Sequence, residues 1–380
     1  MIQIVITPDS FKECLTATQV AEAISAGIKR VIPEAGIISI PIADGGEGTV
    51  DALVKATGGT IIPVPTVDAL NRPVQAFYGI SGNQKTAVIE MASASGLELL
   101  EPNERNPLIT STYGTGLLLK AAMEAGFTQI IIGIGGSATN DGGAGMAQAL
   151  GFRLLDKNGN PIGPGGGSLG ELHSIDRSNV HPLLKKTKIT VACDVHNQLL
   201  GASGATRVYG PQKGATPEML EILEKNMTHF AQILQQEFNI DISCIPGSGA
   251  AGGLGAGLMT FCKAAMASGF ELISKQTHLE EYIRQATLVF TAEGKIDSQT
   301  ASGKTISGVA KLAKKYQVPV IALAGIITDD LSELYNQGVT SVFSIANEPM
   351  SLEESKARAT ELLTGTSERI MRLVQCLDRK

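Results

Sequence analysis

The chain has 380 residues, 43% hydrophobic and 18% charged, with a formal net charge of −6. That length suits one large core or two, the composition excludes a disordered chain, and the acidic balance gives no reason to expect nucleic acid or an anionic membrane as partner. Five cysteines, odd in number, widely spaced and without a CxxC pair, argue against a disulfide framework or thiolate zinc centre and point to a reducing cytoplasm.

Residues 2–7, almost all apolar or β-branched, predict a buried strand, followed by a turn at Pro8-Asp9-Ser10-Phe11-Lys12. No basic segment precedes a long apolar run here, so no signal peptide is expected, and the apolar stretches farther on are too short and glycine-broken to span a bilayer. A helix is expected over 16–31, where Val20, Ile24, Ile28 and Val31 recur at helical spacing. A second strand, 36–43, runs into Asp44-Gly45-Gly46-Glu47-Gly48, and a short helix over 49–56 closes at Gly58-Gly59. Both strand-to-helix loops carry acids at the carboxyl end of the strand, the edge where open parallel sheets bind ligands.

From Gly59 the pattern changes. Segments 60–67 and 73–80 alternate and 86–91 is apolar, as in an antiparallel or mixed sheet. A helix over 113–124 precedes QIIIGIGGSATNDGGAG at 129–145, a strand breaking into a glycine-rich turn before a helix at 144–150. Strands are expected at 152–155 and 189–192, the latter ending in Cys193-Asp194-Val195. Thr216 caps a long helix with Pro217 in its first turn, and glycine-dense 247–257 leads into a helix over 258–267. Alternating strands and helices of the opening kind return in strands 286–291, 318–323 and 339–345 and helices 306–315, 329–337 and 351–374. The expected fold is α/β with two α/β domains. One is Rossmann-like and doubly wound, built from both termini (1–65 and 285–380); the other is an inserted mixed α/β domain (66–284), with the active site in the cleft between them.

Five loops bear on chemistry. The turn at 133–145 offers backbone N–H groups to an anion, with Ser137, Thr139, Asn140 and Asp141 beside them; the bland alternative is a tight turn that merely needs glycine. Residues 298–305 miss the pattern GxxxxGK[ST] only at its first glycine, where Ser298 stands, which disfavours a true P-loop and leaves a phosphate-facing loop with Lys304 as point charge. Residues 247–252 fit GxGxxG without a clear preceding strand, so a Rossmann cofactor site is disfavoured, and helix packing and a phosphate contact stay open. Asp44 and Glu47 stand three apart among glycines, a spacing that suits Mg²⁺, although Glu47 also suits a helix start. Asp194, directly after a buried strand, can accept a hydroxyl proton, bind a metal or close an Asx turn. Together these loops point to phosphoryl transfer, which needs backbone donors, a cation, Mg²⁺ carboxylates and an acid for the attacking hydroxyl.

These residues resemble the bacterial type I glycerate kinases along essentially the whole chain. The matching segments are Asp9-Ser10-Phe11-Lys12, ADGGEGT at 43–49, GIGGSATNDGGAG at 133–145, Cys193-Asp194-Val195, YGPQKGA at 209–215, GAAGGLGAG at 249–257, and Glu293-Gly294 with Asp297, Gln299-Thr300 and Gly303-Lys304. Glu13-Cys14 after Lys12, and Gln198, Ala292 and Lys295, depart from the usual pattern. The resemblance implies transfer of the ATP γ-phosphoryl group to D-glycerate, 2-phosphoglycerate being favoured over 3-phosphoglycerate. The implied catalytic residues are Asp194, Lys12 and Asp297. Substrate and phosphate would be held by Asp9, Ser10, Gly135, Gly136, Ser137, Asn140, Asp141, Glu293, Gly294 and Lys304, and Mg²⁺ by Asp44, Glu47 and Asp297. Roles among the acids are interchangeable at this level. A nucleotide-binding regulatory protein, or a kinase of another small hydroxy acid, is the alternative, and a homo-oligomer is neither required nor excluded.

Overall fold

The structure, a computed structural model, describes residues 2–12, 14–42, 48–297, 300, 305–328 and 330–377. In chain order the strands are β1 (Gln3–Ile6), β2 (Gly36–Ser39), β3 (Thr60–Val67), β4 (Pro73–Ile80), β5 (Thr86–Glu90), β6 (Gln129–Gly133), β7 (Arg153–Leu155), β8 (Ser174–Asp176), β9 (Lys188–Ala192), β10 (Ala265–Ala267), β11 (Leu288–Ile296), β12 (Val320–Ile327) and β13 (Ser341–Ser344). The protein is α/β, and its chain divides into two compact units. The first comprises Met1–Asp44, Lys55–Thr57 and Gly269–Lys380; the second comprises Gly45–Val54 and Gly58–Ser268. These divisions fall at other residues than the 65/66 and 284/285 expected from the sequence pattern. Strand β3 pairs within the second unit's sheet, and helices Gly269–Gln276 and Leu279–Gln285 belong to the first unit.

In the first unit five parallel strands lie in the order β13-β12-β11-β1-β2. Side chains alternate across this sheet: Phe290, Ile321 and Leu323 join a core with Ile4, Ile24, Leu363 and Met371. On the other face Ala322 and Ala324 pack with Ile306, Ala310 and Leu334. Burial on both faces is why β1 and β12 are continuous apolar runs. Helix Ala17–Val31 starts at a capping box in which Thr16 Oγ1 accepts from Gln19 N (3.2 Å) and Gln19 Oε1 accepts from Thr16 N (2.9 Å). The chain leaves β1 for β2 on one side, while β11 leads to β12 on the other. The order therefore reverses between β1 and β11, which makes a crevice at their carboxyl ends.

The second unit has a six-stranded mixed sheet, β10-β9-β6-β5-β4-β3, whose first four strands are parallel and whose last two are antiparallel. Strand β6 pairs in register with both neighbours, Gly133 opposite Glu90 and Ala192. Strands β5, β6 and β9 therefore end together, and the loops after β6 and β9 leave one sheet edge.

Several expected elements differ. The helix expected over 258–267 is Leu254–Phe261, because Lys263 takes a left-handed backbone (φ 53°) and the next residues form β10 on β9. Strand β11 continues past Thr291 through Glu293-Gly294-Lys295, held by pairing to β12, so Glu293 and Gly294 sit in a strand instead of the loop expected after it. The single helix expected over 351–374 breaks at Arg358 (φ −102°, ψ 7°) into Leu352–Ala357 and Ala359–Leu377. The expected 329–337 helix runs from Ser332 to Gln337, its expected first residue Asp329 lying outside the described residues.

Candidate active site

At the β1/β11 crevice of the first unit opens a cavity of about 300 Å³. Asp9, Ser10, Phe11 and Lys12 line it from the turn after β1, and Glu293, Gly294, Lys295 and Asp297 from β11 and its end; Ile326, Ile345, Leu352 and Lys356 form another wall. Asp9 is buried and held at both oxygens. Its Oδ1 accepts from Ser10 N (2.6 Å) and its Oδ2 from Thr305 Oγ1 (2.9 Å), at the start of helix Thr305–Lys315. Asp297 is fixed by Lys295, whose Nζ lies 3.0 Å from Oδ2, and by a bond from its own N–H to Thr300 Oγ1 (3.1 Å). The cavity thus gathers three carboxylates and three lysines beside an apolar wall.

In the second unit the glycine-rich turn after β6 is built around a buried acid. Asp141 Oδ2 accepts from Thr112 N (2.8 Å), Thr112 Oγ1 (2.8 Å) and Gly145 N (3.1 Å), and its Oδ1 accepts from Gly143 N (3.1 Å). Burial raises the Asp141 pKa above the ordinary carboxylate value, and these bonds pull it back. Met146 N donates to Thr112 Oγ1 (2.9 Å). The amides at the start of helix Ala144–Ala149 are therefore answered from within the chain, and the anion expected there is the protein's own Asp141. What remains accessible is the first part of the turn, half-buried Gly135 and exposed Gly136 (φ 72°), with Ser137 beside them buried.

Behind that turn lies a residue not singled out from the sequence. Lys213, at the end of the short turn Pro211–Lys213, is fully buried, and its Nζ donates to Ser137 Oγ (2.7 Å) and Thr139 O (2.6 Å). Burial lowers its pKa to about 7, against a smaller upward pull from Asp141. Asn140 is buried as well: Nδ2 donates to Thr206 Oγ1 (3.1 Å), while its Oδ1 and the Thr139 hydroxyl have no partner among the described residues. The GxGxxG stretch backs this turn. Gly142 N donates to Gly252 O (3.1 Å), and a Cβ on Gly252 (φ 65°) would stand 1.9 Å from Thr139 O, so these glycines serve close backbone packing.

The structure brings Asp9, Ser10, Lys12, Glu293, Gly294 and Asp297 to one cavity. It places Gly135, Gly136, Ser137 and half-buried Asp194 on loops leaving one edge of the second sheet. Asp141 is drawn away into the loop's own framework. Asp44, Glu47 and Lys304 lie outside the described residues. Among the described residues no three His, Cys, Asp or Glu side chains converge as a metal site, and no helix is long and apolar enough to cross a membrane. The only local sign of Lys213 was its place in YGPQKGA, before Gly214 with its left-handed backbone (φ 88°).

Comparison with known proteins agrees with this picture. A family model described as the glycerate kinase family matches residues 4–375. The Glycerate 2-kinase of Escherichia coli (strain K12) is 50% identical over 369 residues, 97% of each chain. A Glycerate kinase of Bacillus subtilis (strain 168) is 51% identical over 96% of each. A Salmonella typhimurium LT2 chain solved by crystallography and provisionally designated glycerate kinase 2 superposes with a TM-score of 0.89 at 47% identity, covering 100% of both chains. With the family matched from end to end, the protein is a kinase and belongs to the glycerate kinase family.

Proposed function

We propose that the protein phosphorylates D-glycerate with Mg-ATP and releases 2-phosphoglycerate. The observation that carries this reading is the cavity at the β1/β11 crevice, where Asp9, Glu293 and Asp297 meet Lys12, Lys295 and Lys356. A phosphorylated anion asks for cations and directed donors, and a hard cation asks for carboxylate oxygen. The preference for the 2-position is supported by the Escherichia coli relative, which carries it in its name.

In this reading Gly135, Gly136 and Ser137 hold phosphate oxygens, and Asn140, buried with Nδ2 on Thr206 and only its acceptor Oδ1 unpartnered, does not. Lys12 pairs with the glycerate carboxylate or the transferring phosphoryl group. Asp194 orients the glycerate hydroxyl and takes its proton as the new O–P bond forms and the bond to the ADP oxygen breaks. Asp297, together with Asp44 and Glu47, offers carboxylate oxygens only, a donor set that fits Mg²⁺. The ion, when bound, neutralises charge on the phosphate oxygens.

The test is ³¹P NMR of the product from D-glycerate and Mg-ATP, with L-glycerate as control. A doublet, one proton on the ester carbon, is expected; a triplet would overturn the regiochemistry, and ADP release without a phosphoester would overturn D-glycerate as the acceptor. In the same assay Asp194→Asn should lower kcat by about 10²- to 10⁴-fold with an unchanged thermal melt. Turnover near the parent's would remove Asp194 from this role.

A further inference from the structure

Lys213 is the largest fully buried side chain of the chain's described residues that the proposed chemistry leaves unused. We infer that Lys213 is a positioning residue for phosphoryl transfer: from behind the turn, its ammonium fixes the Ser137 hydroxyl as a donor and supplies countercharge to an anion seated at Gly135-Gly136-Ser137. The inference rests on the reading that this turn takes an anionic group of the substrates.

The geometry gives the direction. Ser137 Oγ accepts from Lys213 Nζ at 2.7 Å, so one lone pair is occupied and the serine's own proton turns elsewhere. Ser137 keeps 7% of its surface and Gly136 beside it is exposed, whereas Lys213 keeps 1%. The lysine thus acts through the serine and not by touching ligand. A neutral side chain would serve as well if the role were only to staple the turn. Both oxygens bonded to the ammonium are uncharged, and the carboxylate whose field reaches it, Asp141, is already bonded to Thr112, Gly143 and Gly145. A buried ammonium without a directly paired carboxylate is costly, and an arriving anion is what offsets that cost. The weak hold on its proton in the free protein, with a pKa of about 7, agrees with a charge awaiting its partner.

The experiment compares Ser137→Ala, Lys213→Met, Lys213→Gln and the double variant Ser137→Ala/Lys213→Met in full steady-state kinetics with both substrates, alongside thermal melts. Lys213→Gln keeps a donor without charge and carries the test if the Met variant does not fold. Each lysine variant is expected to move the same parameter that Ser137→Ala moves, a KM for one substrate or kcat, by about 10- to 100-fold. The double variant should be no worse than the worse single one, and the Gln variant should melt with the parent. Parent-like kinetics in Lys213→Gln, or effects that multiply in the double variant, would overturn the inference while leaving the anion reading intact. A Ser137→Ala enzyme unchanged in every parameter would overturn the anion reading itself, and this inference with it.

Discussion

Asp141 and Lys213 show how the same residue types take different work according to burial. Both are fully buried, and the field of one reaches the other without a direct bond. The Lys213 ammonium titrates near 7 in the folded protein against an ordinary 10.5. Between those values the unfolded chain holds the extra proton, so this residue's contribution to stability climbs as pH rises through the window and is lost as pH falls to about 7. Urea melts of the parent and Lys213→Met between those limits should show the parent gaining on the variant by up to about 1.4 kcal/mol per pH unit. A constant difference would mean that the folded lysine titrates normally. Neither role was legible locally. Asp141 sits among glycines like a ligand-facing acid, but its partner Thr112 stands 29 residues before it; Lys213 reaches Ser137 and Thr139 across 76 and 74 residues. Asp9 was legible, since an acid one turn beyond a buried strand lands at the carboxyl edge whatever the rest of the chain does.

The glycine-dense stretch before and within helix Leu254–Phe261 is a plate on which the glycine-rich turn after β6 rests. Besides Gly252, Gly257 meets the same turn, a Cβ there standing 2.5 Å from Gly142 O. Gly252→Ala forces a side chain against backbone at a left-handed position, where nothing flexible can give way. The expected loss is about 2–4 kcal/mol in a denaturant titration, with activity falling further than the folded fraction because the turn must shift. A variant as stable and active as the parent would show that the two backbones can separate freely. Apolar runs and alternation made β1, β5, β6 and β9 readable, because burial on one or both faces writes itself into period and composition. Strand β10 and the second half of β11 carried no such mark. Ala265–Ala267 is three residues long and follows a helix with only Lys263 interrupting the apolar run, and Glu293-Gly294-Lys295 is polar. Pairing with β9 and β12 decides both, and partners across a sheet leave no trace in a single sequence window.

The first unit is discontinuous and the second nearly continuous, and that difference sets how each can form. Strand β1 pairs with β2 nearby and with β11 from the last third of the chain, Ile4 opposite Leu288. Strands β3 to β10 find all their partners within Gly58–Ser268. Contacts of long sequence separation close slowly. In pulse-labelled hydrogen exchange during refolding, amides of β5, β6 and β9 should therefore become protected before those of β1 and β11. Simultaneous protection would mean that the two sheets form as one cooperative event. The overall α/β class was readable because it rests on many segments at once. The exact residues of division were not, since a chain that passes between units, as at Val54/Lys55, Thr57/Gly58 and Ser268/Gly269, changes neighbour without changing composition.

On the ribosome, the strand that ends up second from one edge of its sheet is made far ahead of one of its two mates. Ile4, Val5 and Ile6 leave the exit tunnel long before Val289 and Phe290 exist, and their eventual burial is complete. Until β11 follows, β1 is thus a greasy ribbon matched on one side only, and shielding it in that interval falls to whatever the cell places at the tunnel mouth.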